Sequence, residues 1–250
     1  MNIGLCLCGG GAKGAFQAGV IKALYDRGIN KFNSISGTSI GAINGYFIFT
    51  DNLEKLEKMW IDIDENLKNT LKIIDNTVDN SYIIELLSNI NYKGIENQDF
   101  YVNYISIKNN LAEEKIVNIS KLSKEEALKS IKYSSLLPYN PKGTMGLYNQ
   151  FMKDMSEGLY NGYNLDGGLI NNTLLKPLLN KNIDKFIVIA TKHDYTLPDD
   201  IRSICNLDDI IIVRPNTIFN KYDTLRFEKE FCKKIYYEGY EIGKNLNISM

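Results

Sequence analysis

An α/β fold with a parallel sheet is what this sequence predicts, on three observations. Two short apolar stretches, Asn2 to Cys8 and Phe32 to Ser36, are each followed by a glycine-bearing turn and then by an apolar helical pattern. Strands that alternate with helices lie parallel and are joined by right-handed crossovers. Two further β-branched runs, "KFIVIA" ending at Ala190 and "IIIV" at Ile210 to Val213, supply more buried strands late in the chain.

The first strand, "NIGLCLC", ends at Gly9, Gly10 and Gly11. From Lys13 to Arg27 the spacing is helical. Phe16, Val20, Ala23 and Leu24 share one face, and Gly28 stands where a helix C-terminus favours glycine. The second strand runs into a tight turn over Gly37 to Gly41, and Ile40 to Thr50 reads as a buried helix. Asp51 to Asn91 reads as mostly helical, with "LEKLEKMW" and "YIIELLSNI" as amphipathic pieces and neither Pro nor Gly to make a linker. Phe100 to Ile107, "FYVNYISI", is a strand; after the polar "KNNLAEE", "KIVNIS" is its partner. Ser123 with Glu126 three residues on makes a capping box for the next helix. Tyr139 to Gly162 is turn-rich and polar. "YNLDGGLINN" interrupts before the strand at Phe186 to Ala190. Pro215 closes the last strand, and Tyr222 to Leu246 is helical, with Phe227, Phe231 and Ile235 at steps of four.

The 250 residues suit one large domain, and 44% apolar with 24% charged residues is ordinary for a globular core. A formal net charge of -1 leaves no basic footprint for nucleic acid. The four cysteines form no C-x-x-C pair, so zinc and redox readings are weak. Cys6 and Cys8 share one face of the first strand and read as small buried hydrophobes, which suits a reducing compartment. The N-terminal stretch lacks the charged region of a signal peptide. The apolar stretch from Ile40 to Phe49 falls far short of the roughly 20 residues that span a bilayer. A cytoplasmic protein, peripheral at membranes, is the expectation.

Gly9 to Gly14, "GGGAKG", matches the dinucleotide fingerprint between a strand and a helix, but that fingerprint wants an acidic residue about 20 positions on. The neighbourhood there is "FNSISGTS", with no acid. Walker A fails as well, because Gly14 and not Ser or Thr follows Lys13. A glycine-rich turn before a helix also presents unpaired N–H groups to developing negative charge, an oxyanion included. Gly37-Thr38-Ser39-Ile40-Gly41 matches G-x-S-x-G, set between strand and helix where a nucleophile elbow requires it. A plain N-cap would explain Ser39 but not both glycines. A serine nucleophile needs a base. The candidates are His193, the only histidine, and Asp166 in "DGG", which read alone is equally an ordinary turn. The order Ser39, Asp166, His193 is that of α/β-hydrolase triads.

These residues resemble the patatin-like phospholipase family. The resemblance rests on "GGGAKGAFQAGVIKAL", "GTSIGAING" and "DGGLINN" in that order. It is extended by "ALKSIKYSSLLP" with Pro138 and by "KFIVIA", and so runs from about Asn2 to Asp194. It implies a three-layer sandwich, a mostly parallel central sheet flanked by helices, as a single domain over residues 1–250. It also implies a Ser–Asp dyad that needs no histidine. Carried over, Ser39 is the nucleophile and Asp166 the base. The amides of Gly10, Gly11 and Ala12 hold the oxyanion, supported by Gly9, Lys13, Gly14, Gly37, Gly41, Gly167 and Gly168. The chain departs at Lys13, where the family often has arginine, at Leu174, where it often has proline, and at Ile40 in place of a frequent alanine. The implied substrate is a phospholipid, lysophospholipid or other acyl lipid at a membrane or micelle surface. The reaction would pass through an acyl-enzyme and need no cofactor or metal. "DIDEN" at Asp62 lacks the glycine and glutamate of a calcium loop, having Leu67 and Ile73 there. Residues 53–90 are a candidate lid, with ordinary packing on the sheet as the other reading. A Ser39–Asp166–His193 esterase and a non-catalytic nucleotide- or lipid-binding module stay open beside the dyad.

Overall fold

A computed structural model describes residues 1–63 and 72–248 of the chain. The first two strands, β1 (Ile3–Leu7) and β2 (Ser34–Thr38), are buried along their whole length, as a parallel sheet covered on both faces requires. Between them a 3-10 turn over Gly11–Lys13 opens α1 (Gly14–Asp26). One residue, Ser39, separates β2 from α2 (Ile40–Phe49), a helix buried at every position. Then come α3 (Leu53–Ile61), the small hairpin β3 (Ile73–Ile74) and β4 (Thr77–Val78), and α4 (Ser81–Ser88). The long hairpin β5 (Asp99–Lys108) and β6 (Leu111–Asn118) leads to α5 (Lys124–Ser134), α6 (Leu147–Ser156) and β7 (Asn164–Asp166). The chain finishes with α7 (Lys176–Leu179), β8 (Lys185–Ile189), α8 (Asp199–Arg202), β9 (Ile210–Val213) and α9 (Lys229–Lys244).

Seven strands form one sheet in the order β6-β5-β2-β1-β8-β9, with β7 added to β5. The four pairings from β5 through β2, β1 and β8 to β9 are parallel, while β6 and β7 run antiparallel to β5. Alternation along β1 sorts its side chains between two cores. Ile3, Leu5 and Leu7 join the large cluster that includes Phe16, Leu24, Tyr46, Phe47 and Trp60. Cys6 and Cys8 face a smaller cluster with Leu175, Leu178, Val188 and Ile201. Helices thus cover both faces, heavily on one and by the four-residue α7 and α8 on the other. The cysteines are the free, buried small hydrophobes that the sequence indicated.

Several boundaries differ from expectation. The described residues of 51–91 hold a hairpin beside the two helices: β3 and β4 lie between α3 and α4, turning on Asp75 and Asn76, both with positive φ, as tight hairpins require. The Asp62 stretch falls largely in residues 64–71, outside the described residues. β6 starts at Leu111, straight after an Asn109–Asn110 turn of the same kind, and its polar "LAEE" belongs to the strand because that edge is half exposed. The polar stretch 139–162 contains α6, whose buried side includes Phe151 and Met155. The last helix begins at Lys229 and not at Tyr222. Phe227 therefore lies ahead of it and stacks on Trp60, with ring centroids 6.3 Å apart. The Ser123–Glu126 capping box is present.

Candidate active site

Ser39 is the single residue between the end of β2 and the first turn of α2. Its backbone is left-handed, φ 56 and ψ -123, a conformation worth about 1–3 kcal/mol of strain in a non-glycine residue. Such a turn lifts the side chain off the sheet. It also brings the backbone of α2 hard against β1 and β2. A Cβ on Gly41 would overlap the Leu7 carbonyl, and one on Gly37 would press on Gly41. Both glycines are thus required by close approach. The Ser39 side chain makes no capping hydrogen bond to α2, so the N-cap reading fails. Its hydroxyl donates instead to Asp166 Oδ2 at 2.5 Å.

Asp166 is the last residue of β7, held opposite Tyr104 of β5. Its other oxygen, Oδ1, accepts from the Gly168 amide at 2.8 Å. Burial pushes its carboxyl up to about 6, against the opposing pull of the Ser39 and Gly168 hydrogen bonds. Gly167, a step on, packs against Asn103.

The glycine-rich turn closes over the same point. The Gly9 amide donates to Asn172 Oδ1 at 2.9 Å, and the Gly9 carbonyl accepts from Thr191 Oγ1 at 2.5 Å and from Asn172 Nδ2 at 3.3 Å. With Gly9 so fixed, the N–H groups of Gly10, Gly11 and Ala12 meet no acceptor among the described residues. Gly11 has φ +58, and a side chain there would strike the Thr224 carbonyl. Gly9, Gly10 and Gly11 line a cavity of about 950 Å³ together with Ser39, Asp166 and Gly168; Ala12 is buried behind them. Gly14 leaves the space that the Ile40 side chain fills. Lys13 is 8% exposed and lines the cavity 5.8 Å from the Phe219 ring. Burial lowers its pKa, with repulsion from Lys192 adding to the effect and Asp223 opposing it. Leu174 is fully buried.

The far wall of the cavity carries apolar side chains, Met59, Trp60 and Ile63 of the α3 region and Val78, Ile83 and Leu86, with Lys55, Lys58 and Glu85 set among them. His193 is not among the lining residues. Its Nδ1 lies 3.9 Å from Asp194 Oδ1, and the hydrogen bonds of Asp166 go to Ser39 and Gly168. Among the described residues no group of three or more His, Cys, Asp or Glu side chains is placed to hold a metal ion. No helix among them is long and apolar enough to cross a membrane.

Several site residues lay beyond the reach of sequence reasoning. Ser134, at the end of α5, accepts the Ser39 amide at 2.9 Å and so fixes the elbow from below. Asn103 accepts from Thr38 Oγ1 and donates to Glu114 and to the Asn171 carbonyl, tying the aspartate loop to the sheet. Asn172 and Thr191 seat Gly9. The two asparagines closing "DGGLINN" were the only signal, and their partners are far off in sequence.

Comparisons with known proteins bear on the family and the fold. A family model for patatin-like phospholipase matches residues 5–231. Lysophospholipase nte1 of Aspergillus terreus is 59% identical over 44 residues, 18% of this chain and 3% of that protein. Lysophospholipase NTE1 of Mycosarcoma maydis is 53% identical over 45 residues, 18% of this chain and 2% of that one. The chain thus spans 3% or less of the length of the curated relatives it matches. Among solved structures, VipD from Legionella pneumophila has a TM-score of 0.53 at 13% identity, covering 97% of this chain and 66% of that one. The type III effector ExoU of Pseudomonas aeruginosa has a TM-score of 0.50 at 10% identity, covering 97% and 52%. At such identities the likeness is one of fold, a mixed α/β architecture around a mostly parallel sheet. The family match takes in both glycine turns, Ser39, Asp166 and most of the sheet, and on it this chain belongs to the patatin-like phospholipase family.

Proposed function

We propose that this chain hydrolyses fatty-acyl esters of phospholipids or lysophospholipids through a Ser39–Asp166 dyad. The observation that carries the reading is the 2.5 Å hydrogen bond from Ser39 Oγ to a buried carboxyl whose pKa stands near 6. An ordinary aspartate is a weak base; one raised toward neutrality accepts a serine proton more readily while staying ionised at pH 7. Asp166 takes the Ser39 proton as Oγ attacks the ester carbonyl. The carbonyl electrons move onto oxygen, where the amides of Gly10, Gly11 and Ala12 receive the charge; one such donor is typically worth about 3–4 kcal/mol. Collapse expels the alcohol portion of the lipid, which takes the proton from Asp166, and leaves an acyl-enzyme. Asp166 then removes a proton from water, hydroxide adds to the acyl carbon, and fatty acid leaves as Ser39 recovers its proton.

The apolar side chains from α3 to α4 offer the acyl chain a surface, while Leu56, Trp60 and Leu87 of the same helices pack into the main core, so residues 53–90 serve as a wall of the site and stay a candidate lid. Lys13 supplies positive charge beside the glycine turn and suits an anionic head group. A fluorophosphonate probe tests the reading. Ser39 should label covalently, Ser39→Ala should not, and His193→Ala should label as the parent does. Undiminished labelling of Ser39→Ala would remove that residue from the role. Loss of labelling and turnover in a folded His193→Ala would favour the triad instead.

A further inference from the structure

The substrate of the proposed reaction lives in a lipid surface, and among the described residues exposed apolar side chains stand on two sides of the same cavity. α6 buries Phe151 and Met155 on its inner side, yet Leu147, Tyr148 and Met152 stand exposed, Tyr148 by 56%. Met145, just ahead of the helix, is 55% exposed. Leu147 belongs to both settings, exposed and at the same time lining the cavity that holds Ser39. On a second side the exposed Tyr82 of α4 lines the cavity, and the exposed Ile73 and Ile74 of β3 lie next to its lining residues Lys72 and Val78. The two sides are tied into one rim. Tyr139 donates its amide to the Asn76 carbonyl at the tip of the β3–β4 hairpin, and Pro138 bridges Thr77. Tyr139 and Met145 line the shallow groove that Leu147 joins to the cavity.

We infer that this rim is a lipid-docking face: Ile74, Met145 and Tyr148 insert into the interfacial layer of a phospholipid surface and set the cavity mouth against it. The inference rests on the acyl-lipid reading above, and it adds where and with which residues the protein meets its substrate. Exposed apolar side chains scattered singly are ordinary, but here two of them, Leu147 and Tyr82, also line the cavity that holds Ser39, and Met145 shares a groove with Leu147. Tyrosine suits the headgroup level, where one end of the ring is wet, and methionine and isoleucine suit the acyl boundary. A lipid surface satisfies all of them without a matching protein contour. Transfer of an acyl chain from that surface into the apolar wall of α3 and α4 then never exposes it to water.

The test uses the Ser39→Ala chain, so that binding is read without turnover. Sedimentation with phosphatidylcholine vesicles, with and without phosphatidylglycerol, gives its partition between lipid and water. Adding I74E, M145E and Y148E together should lower that partition by about tenfold or more. The exposed Ile204, which follows α8 beside the smaller core, is the control: Ile204→Glu should leave the partition unchanged. In the Ser39-bearing protein, the triple variant should keep the parent's rate on a soluble short-chain ester and lose rate only on vesicles, which shows that it folds. Equal partition of triple variant and parent would overturn the proposal, as would a parent that does not sediment with vesicles. A concentration-dependent dimer that the triple substitution abolishes, with no vesicle binding, would overturn it in favour of a second copy of the chain. Failure of the parent to hydrolyse any ester, with vesicle binding intact, would instead count against the acyl-hydrolase reading alone.

Discussion

The hydroxyl of Ser39 and the carboxyl of Asp166 meet at 2.5 Å across 127 positions of chain. The first is delivered by the β2–α2 turn and the second by the end of β7, two strands that both pair with β5. β5 therefore acts as the common ruler, and the spacing of Ser39 and Asp166 is set by the register of one strand.

Protonation of Asp166 should govern both activity and stability, in opposite directions. Its folded pKa, about 6, lies above the usual 3.8. The stability it contributes is therefore fully present below about pH 4 and is lost as pH rises through 6. The gap corresponds to about 3 kcal/mol. Asp166→Asn should be the more stable protein above pH 6, by up to that amount, with the difference vanishing below pH 4. Turnover should run the other way: absent in acid, rising through about pH 6 to a plateau, and about 10²–10⁴ lower in Asp166→Asn. Denaturant unfolding and kcat against pH read both curves. A parent profile whose rising limb His193→Ala abolishes would assign the base to His193.

The elbow should tolerate no side chain at position 41. The methyl of Gly41→Ala would overlap the Leu7 carbonyl, forcing α2 off β1. Overpacking of this kind costs about 1–3 kcal/mol, or roughly 2–4 °C in Tm per kcal/mol for a chain of this size. Gly146→Ala is the comparison, since φ there is -61 and nothing stands within 4 Å of the added carbon. Thermal unfolding should show the first variant lowered and the second near the parent.

How much of this was legible beforehand follows from whether the cause is local. β1, β2 and the glycines around Ser39 carry their reasons in adjacent residues: continuous burial, then a turn that only small neighbours permit. α6 was hidden because three of its five apolar residues, Leu147, Tyr148 and Met152, face outward and blur the periodicity that Phe151 and Met155 would otherwise give. β7 has three residues, and its pairing with β5, not its own pattern, makes it a strand. Ser134 is one hydroxyl in "KYSSLLP" and reaches the Ser39 amide only after α5 packs. The residues alone left Asp166 and His193 both open as candidate bases, and only the family resemblance favoured Asp166. Their different burial and neighbours separate them, and those are tertiary facts.

Asn172 should matter to rate more than to binding. It holds the Gly9 amide and carbonyl, and so aims the free amides that follow. It also lines the cavity at the glycine turn, away from the apolar wall offered to the acyl chain. Asn172→Ala lets the turn drift, and misplacement of about 1 Å can cost 10² in rate. A fall in kcat of about 10–100-fold with KM little changed is the expectation. A loss confined to KM would place Asn172 in substrate binding instead.

Trp60 offers the last test, because it links the proposed lid to the site. Its indole N–H donates to Asn44 Oδ1 at 2.9 Å, while Asn44 Nδ2 donates to the Gly14 carbonyl and to Gln17 Oε1. Gln17 in turn donates to the carbonyls of Cys8 and Ile189, the ends of β1 and β8. All three side chains are buried. Trp60→Phe keeps the stacking on Phe227 but leaves Asn44 Oδ1 without a donor, a loss of about 1–3 kcal/mol. If α3 is a rigid wall, that loss should appear in global stability by chemical denaturation. If α3 is a lid that moves, it should appear as faster amide hydrogen exchange in residues 53–61 alone, with kcat on long-chain lipids altered and the unfolding midpoint nearly unchanged. Exchange unchanged in α3, with the whole molecule destabilised, would rule out the lid.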